Sequence, residues 1–332
     1  MKKAILVAAA LLAGATACGS SSTGTGTGTG TGSSGDGKKE YTVGVSNLGL
    51  SFPFPAAIGK GIKEEAAKLG VRIVELDAQG KADKQSNDIQ DLIAQQPDGV
   101  LMLPVDSGVA QGLADRLKAS GVPTVAVASQ VGDPKTRQLK DVYPGLVALV
   151  TQDEYAAGGK AGEIAASVVP GGGKLAIVEG AAGFAEVVNR FQEFPKAAAA
   201  KGATYEVVAR QPGDWVQDKA QSACQNMLSS SPGTQLFYAQ SDDMAVGCAK
   251  AVTAAGSKAK IVGIGGSKLG IDAVKSGAIS GTVCYKPEDL GKLALDTLYR
   301  HLTGEQKQDA AFVTYDTPAI TKDNLADCTP QW

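Results

Sequence analysis

From residue 41 onward, short, near-continuous apolar runs alternate with longer stretches in which apolar residues recur every three or four positions. The short runs fall at 41–46, 72–76, 99–103, 124–127, 175–179, 205–209, 235–239, 260–264 and 281–284. A strand covered on both faces has no polar side, so such runs predict buried parallel strands. The Ala-, Lys- and Glu-rich stretches at 58–69, 84–95, 109–120, 154–169, 186–201, 218–230, 244–255, 270–275 and 290–302 predict helices. Several stop at a glycine (Gly70, Gly121, Gly202, Gly256), where a left-handed residue ends the helix and no function is implied. Strands separated by helices predict an α/β fold with doubly wound parallel sheets. One sheet would need too many strands, and two of about half that size fit the usual limits. The stretch 138–153, broken by Tyr143-Pro144-Gly145, is where the chain is expected first to cross between lobes. Ligands of open α/β sheets bind beyond the carboxyl ends of the strands, so two facing lobes would enclose a cleft lined by strand-end loops.

The first 40 residues follow a different pattern. Met1-Lys2-Lys3, an apolar stretch over 4–12 and small residues over 13–17 lead to Cys18. This order describes an export signal, and the apolar part is too short to cross a bilayer core of roughly 30 Å. Ala15-Thr16-Ala17-Cys18 resembles a bacterial lipobox, although leucine is more usual where Ala15 stands. On that reading, residues 1–17 are a lipoprotein signal peptide and Cys18 is acylated as the mature N-terminus. The alternative is an ordinary secretory signal with a cysteine near its end by chance. Residues 18–40, rich in Ser, Thr and Gly, read as a solvated tether with a reach of about 25 Å.

A formal net charge of −2 argues against a nucleic acid or an anionic surface as partner. The one histidine, His301, excludes histidine-based triads and argues against a zinc site. Beyond Cys18 there are Cys224, Cys248, Cys284 and Cys328, an even number that suggests disulfides in an exported chain. Cys224 and Cys248 lie on consecutive predicted helices and could pair, leaving Cys284 for Cys328; four buried free thiols are the alternative. The loop after the first strand lacks a G-x-G-x-x-G cradle. Gly171-Gly172-Gly173-Lys174 is followed by Leu175 in place of a Mg²⁺-binding Ser or Thr, precedes a strand, and reads as a turn. Gly263-Ile264-Gly265-Gly266 would let a ligand approach the backbone closely, or simply make a tight turn. The acidic pairs Asp242-Asp243 and Glu288-Asp289 stand at helix starts, where the helix dipole favours them. No nucleophile–base grouping is present, so neither a catalytic site nor a cofactor or metal is expected.

Val45-Ser46-Asn47 with Phe52-Pro53-Phe54 and Asp77-Ala78-Gln79 resembles the start of ribose-type periplasmic binding proteins. The resemblance continues through Asp88-Ile89-Gln90-Asp91-Leu92-Ile93, Pro97-Asp98-Gly99-Val100, Pro104-Val105-Asp106 and Gly121-Val122-Pro123. It extends through Gln211-Pro212-Gly213-Asp214-Trp215, Gln225-Asn226-Met227-Leu228, Val262-Gly263-Ile264 and Thr321-Lys322-Asp323-Asn324. Its nearest single match is Tyr238-Ala239-Gln240-Ser241-Asp242-Asp243-Met244-Ala245-Val246-Gly247, and together these motifs cover essentially all of 41–325 in order. The resemblance implies the type I binding-protein fold, two lobes joined by a three-crossover hinge. One lobe would be 41–152 plus 286–315, the other 153–285 plus 316–332. The lobes would close on a small solute and present it to an ABC permease with its ATPase.

Position by position, Phe54 and Phe52 match the family's first-loop aromatics, and Trp215 matches its stacking aromatic. Ala128-Ser129 stands where an Asp-Arg pair is expected, and Val188 where an arginine is, with Arg190 two places on. Ser241 replaces an asparagine beside the retained Asp242, Gly265 an aspartate, and Tyr285 a polar amide. Each buried sugar hydroxyl left unpartnered costs about 1–3 kcal/mol, so a pocket more apolar and aromatic than a ribose site is expected. Its walls would be Phe52, Phe54, Trp215 and Tyr285, with Ser129, Gln130, Arg190, Ser241 and Asp242 as polar contacts. The structural alternatives are Phe52 and Phe54 as core residues, Asp242 as a helix cap, and Arg190 as a surface or interlobe residue. The expected protein is a monomeric solute-binding lipoprotein, held through Cys18 on the outer face of the cytoplasmic membrane, or periplasmic if not acylated. A sensory binding protein is the alternative. A repressor of this fold is disfavoured by the export signal and the missing helix-turn-helix, and an exported enzyme by the lack of catalytic groups.

Overall fold

The computed structural model describes residues 39–332; the expected export signal, Cys18 and nearly all of the expected tether lie outside the described residues. Strands β1 (Tyr41–Asn47), β2 (Val71–Asp77), β3 (Gly99–Met102), β4 (Thr124–Val127), β5 (Ala148–Val150) and β11 (Ala311–Val313) form one sheet. Its order is β11-β5-β4-β3-β1-β2 and every pairing is parallel. The pleat of β3 shows the double winding directly. Leu101 packs with Ile58 and Ile62 of α1 (Pro53–Leu69) and with Leu295 and Leu298 of α10 (Pro287–Leu302). Its neighbours Val100 and Met102 face the other way, onto Ile89 and Leu92 of α2 (Ala82–Ala94) and Leu113 and Leu117 of α3 (Val109–Ala119). Central strands covered on both faces can be apolar at every position. The edge strand β2 is not buried as expected: with one side unpaired, it leaves Arg72 exposed.

The second lobe repeats the plan. β6 (Gly172–Glu179), β7 (Thr204–Pro212), β8 (Leu236–Ala239) and β9 (Lys260–Val262) form a parallel sheet in the order β7-β6-β8-β9. The edge strand β7, like β2, is not buried as expected and leaves Glu206 exposed. Bridges from Val262 to Gly281 and from Gly265 to Cys284 extend it, and β10 (Thr282–Val283) pairs antiparallel with β12 (Ala319–Ile320). One face packs on α4 (Glu154–Val168) and on Phe194 at the start of α6 (Phe194–Ala200). The other packs on α7 (Gln217–Ser230), α8 (Asp242–Ala254) and α9 (Lys268–Ser276). Cys224 and Cys248 join α7 to α8 with a Cα separation of 5.3 Å, and Cys284 is bonded to Cys328 at 5.9 Å. The chain crosses between the sheets three times, at 151–153, 284–286 and 314–318, and the last two are tied by Cys284 N to the Pro318 carbonyl and Lys286 N to the Tyr315 hydroxyl.

Local chemistry explains where the elements differ from their expected extents. α1 begins at Pro53, ahead of the periodic pattern, because proline at a first helical position gives up an N–H that would be unpaired anyway. The expected helix over 186–201 is two, α5 (Ala185–Gln192) and α6, meeting at Glu193. Pro195 cannot donate back into the preceding turn and its ring would clash there. The 171–174 stretch gives its last three residues to β6 instead of forming only a turn.

Candidate functional site

A cavity of about 270 Å³ lies between the lobes, and nearly every strand end contributes to it. The first lobe supplies Leu48, Phe52 and Phe54 after β1, Gly80 after β2, and Ala128 and Ser129 after β4. The second supplies Phe184 after β6, Glu186 and Arg190 on α5, Asp214 and Trp215 after β7, Ser241 and Asp243 after β8, and Ile264 and Gly265 after β9. Gln152 and Tyr285 come from two crossovers, and Trp332 from the tail.

Of the sequence candidates, Phe52, Phe54, Ser129, Arg190, Trp215, Ser241 and Tyr285 are brought together here. Phe52 stands on the rim, exposed, and not in the core. Phe54 meets Trp332 edge-on at 5.3 Å and tilts against Tyr285 at 6.2 Å. Trp215 meets Phe184 edge-on at 5.8 Å. Asp214 and Trp215 both adopt the left-handed region (φ 52° and 63°), so the chain doubles back after β7 and lays the indole on Gly180. A Cβ at position 180 would fall within that ring.

Arg190 is buried, not on the surface, and belongs to a closed polar cluster. Its Nε and Nη2 donate to Oε2 and Oε1 of Glu154 at 2.7 and 3.0 Å, and its Nη1 to the carbonyl of Gln240 at 2.6 Å. Glu154 also accepts from the Tyr285 hydroxyl and from Gln152 Nε2, both at 2.6 Å. The guanidinium lies 5.4 Å from the Trp215 ring centre and 5.2 Å from that of Tyr285. Burial works against the Arg190 cation, but the Glu154 carboxylate outweighs it and holds it firmly protonated. Burial pushes the Tyr285 phenol up, so it remains a donor.

Glu186 is the cavity's other buried charge. Its Oε2 accepts from Ser129 Oγ at 3.2 Å, and Ser129 in turn meets Ser107 Oγ at 3.3 Å. Burial first, and the like charge of Glu154 second, push its carboxyl up to about 7.

Two candidates stand outside the lining. Gln130 Oε1 accepts from Asn189 Nδ2 at 3.0 Å and its Nε2 donates to the Arg137 carbonyl at 2.8 Å, a link between the lobes. Asp242 is wholly buried; Thr282 Oγ1 donates to it at 2.6 Å, and Ser267 N and Oγ at 2.8 and 3.1 Å. The helix cap is its neighbour Ser241, whose hydroxyl accepts from Met244 N at 3.3 Å. Asp242 instead pins the starts of α8 and α9 to β10, and burial raises its carboxyl to about 6. Gly265 has φ 151°, a conformation that residues with side chains rarely adopt, and a Cβ there would stand 2.9 Å from Asp242 Oδ2. Asp242→Ala should therefore cost about 2–4 kcal/mol in a urea melt, because three donors lose their acceptor; an unchanged midpoint would refute this role.

Sequence reasoning did not single out Glu154, Gln152, Glu186, Phe184 or Trp332. The spacing of Glu186 and Arg190 puts both on one helix face, a signal available in the pattern. For Trp332 there was none. It is placed by its tail: its carbonyl accepts from Lys268 N at 2.9 Å, and Gln331 Oε1 accepts from Glu288 N at 2.8 Å and Asp289 N at 3.2 Å at the start of α10. Among the described residues no group of His, Cys, Asp and Glu could hold a metal ion.

Comparison with known proteins agrees with the two-lobed fold. A family model for the periplasmic binding protein domain matches residues 43–306. A ribose import binding protein of Bacillus subtilis strain 168 is 31% identical over 270 residues, 81% of this chain and 84% of that one. A xylitol-binding protein of Mycolicibacterium smegmatis is 29% identical over 272 residues, 80% and 73% of the two chains. Among solved structures, a Caulobacter myo-inositol binding protein bound to myo-inositol superposes with a TM-score of 0.78 at 27% identity, covering 87% of this chain and 96% of that one.

Proposed function

The chain belongs to the ribose-type branch of the periplasmic binding protein family, and from that premise we propose that it captures a sugar- or polyol-like solute between its lobes and delivers it to an ABC permease and its ATPase. Members of this family are extracytoplasmic binding proteins and not enzymes. The observation that carries the proposal is a cavity walled from both lobes, with Phe54 and Ser129 on one side and Trp215 and Ser241 on the other. A solute touching both sides stabilises their closed arrangement, and only such differential contact can drive closure. At about 270 Å³ the space lies just below the usual range for drug-sized ligands and suits a compound of monosaccharide size.

In this reading Phe52, Phe54, Trp215 and Tyr285 cover the apolar faces of the solute, and Ser129, Ser241 and Arg190 stand at its polar edge. Gln130 and Asp242 support the site without touching the solute. The bodies that move are 41–152 with 286–315, and 153–285 with 316–332. Acylation at Cys18 holds the monomer on the outer face of the cytoplasmic membrane, and a lipid-modified Cys18 peptide in a mass spectrum of the membrane fraction is the expected result.

A thermal-shift screen of pentoses, hexoses, polyols and aromatic acids tests the solute class. A ligand at a hundred times its Kd adds about 2.7 kcal/mol, a shift of several degrees. Silence from every sugar and polyol would refute the proposal, as would a response to aromatic acids alone. For the hit of that screen, Trp215→Ala should weaken binding at least about tenfold, the worth of a lost ring-stacking surface; unchanged affinity removes Trp215 from the site.

A further inference from the structure

The charges around the cavity do not balance. Arg190 is the only basic residue among the described lining, and its charge is already answered by the two-point pairing with Glu154. Glu186 is 6% exposed, lines the same space and forms no ion pair with any described residue; its one side-chain partner is the Ser129 hydroxyl. Asp243 also lines the cavity, whereas Asp214 is answered by Lys219 at 3.0 Å. A buried carboxylate without a counter-charge is costly, so it either takes up a proton or waits for a cation. The walls favour a cation of one kind. Phe52, Phe54, Phe184 and Trp332 present aromatic surface not already covered by the Arg190 guanidinium, and aromatic rings attract organic ammonium groups.

We propose that the solute captured here carries a protonated amine, whose ammonium pairs with Glu186 in this aromatic-walled cavity. The proposal rests on the solute-capture reading and names the chemical class that reading leaves open. Glu186 selects the amine, and the neutral remainder of the molecule fills the space between the rings. Three groups beside the carboxylate bear on its titration: Ser129 from the loop after β4, Glu154 from α4, and Arg190 from its own helix. The last two remain paired with each other, and Asp243 is the other acid of the lining. The Glu186 carboxyl is raised to about 7 by burial and by Glu154, so a proton competes with the ammonium below that pH. Preference for an amine should accordingly be full above the raised value and fall as pH drops through it.

Isothermal titration of the full chain with matched pairs tests this: glucosamine against glucose, galactosamine against galactose, amino-sorbitol against sorbitol, and benzylamine against benzyl alcohol. At least one amine should bind about tenfold or more tighter than its counterpart at pH 8, with most of that preference gone at pH 6. Glu186→Gln, which keeps the side-chain shape, should bring that amine and its counterpart to within about twofold of each other. Equal affinity within every pair in the unmodified protein, or a preference that survives Glu186→Gln, overturns the proposal and leaves solute capture standing. Binding by none of the eight compounds also overturns it, and if the wider screen of sugars and polyols is silent too, solute capture falls with it.

Discussion

Arg190→Ala should lower stability by about 3–5 kcal/mol, because it leaves the Glu154 carboxylate buried with no counter-ion. Glu154 is 1% exposed, and the bonds it keeps from Tyr285 and Gln152 come from neutral donors that do not replace the lost positive charge. The paired double variant Arg190→Met with Glu154→Leu should recover much of the loss, since it removes both charges together. Urea unfolding of the two singles and the double would measure the coupling. A single-variant loss below about 1 kcal/mol would mean that the pair is hydrated in solution and stabilises no more than a surface bridge. Affinity should fall as well in the single variant. The Trp215 and Tyr285 rings rest on this guanidinium, and the Gln240 carbonyl, at the end of β8, is held by it.

Removing the bond between Cys284 and Cys328 by the double serine variant should cost about 4 kcal/mol on the chain-entropy account for a 44-residue separation. The shorter separation of 24 residues between Cys224 and Cys248 predicts slightly less, about 3.5 kcal/mol. The two losses differ in kind. Cys224 to Cys248 ties neighbouring helices within one lobe, whereas Cys284 sits beside Tyr285 at a crossover and Cys328 begins the tail that carries Trp332. Loss of the latter bond should therefore also weaken solute binding, and loss of the former should not. Melting with and without reductant tests both, and midpoints insensitive to reductant and to the serine variants would show that the thiols are unpaired in solution.

The repeating order of strand and helix was legible because the central strands are covered on both faces, which leaves short apolar runs such as those of β3, β4 and β8 with no competing pattern. The short strands β5, β11 and β12 were not. Each has at most three residues, and each is set by a partner far along the chain, as Ala311 is by Ala148. The candidate site was legible where residue type and loop position sufficed, as for Phe54 and Trp215. It failed where direction mattered. Gln130 and Ser129 are adjacent, yet only Ser129 faces the cavity; Asp242 turns to Ser267 and Thr282, while Ser241 and Asp243 on either side line it. Nor could spacing foresee that Glu154 would answer Arg190 from another helix, or that Trp332 would reach Phe54 across most of the chain.

Trp215 and Trp332 are the chain's two tryptophans, and both stand in the cavity wall. Indole emission from this protein consequently has a single place of origin. Any occupant that dries the site or shifts the lobes changes the light from every fluorophore of this kind at once, with no background from elsewhere in the chain. The molecule reports its own occupancy without a label, and replacing one tryptophan at a time would resolve the signal of the loop after β7 from that of the tail.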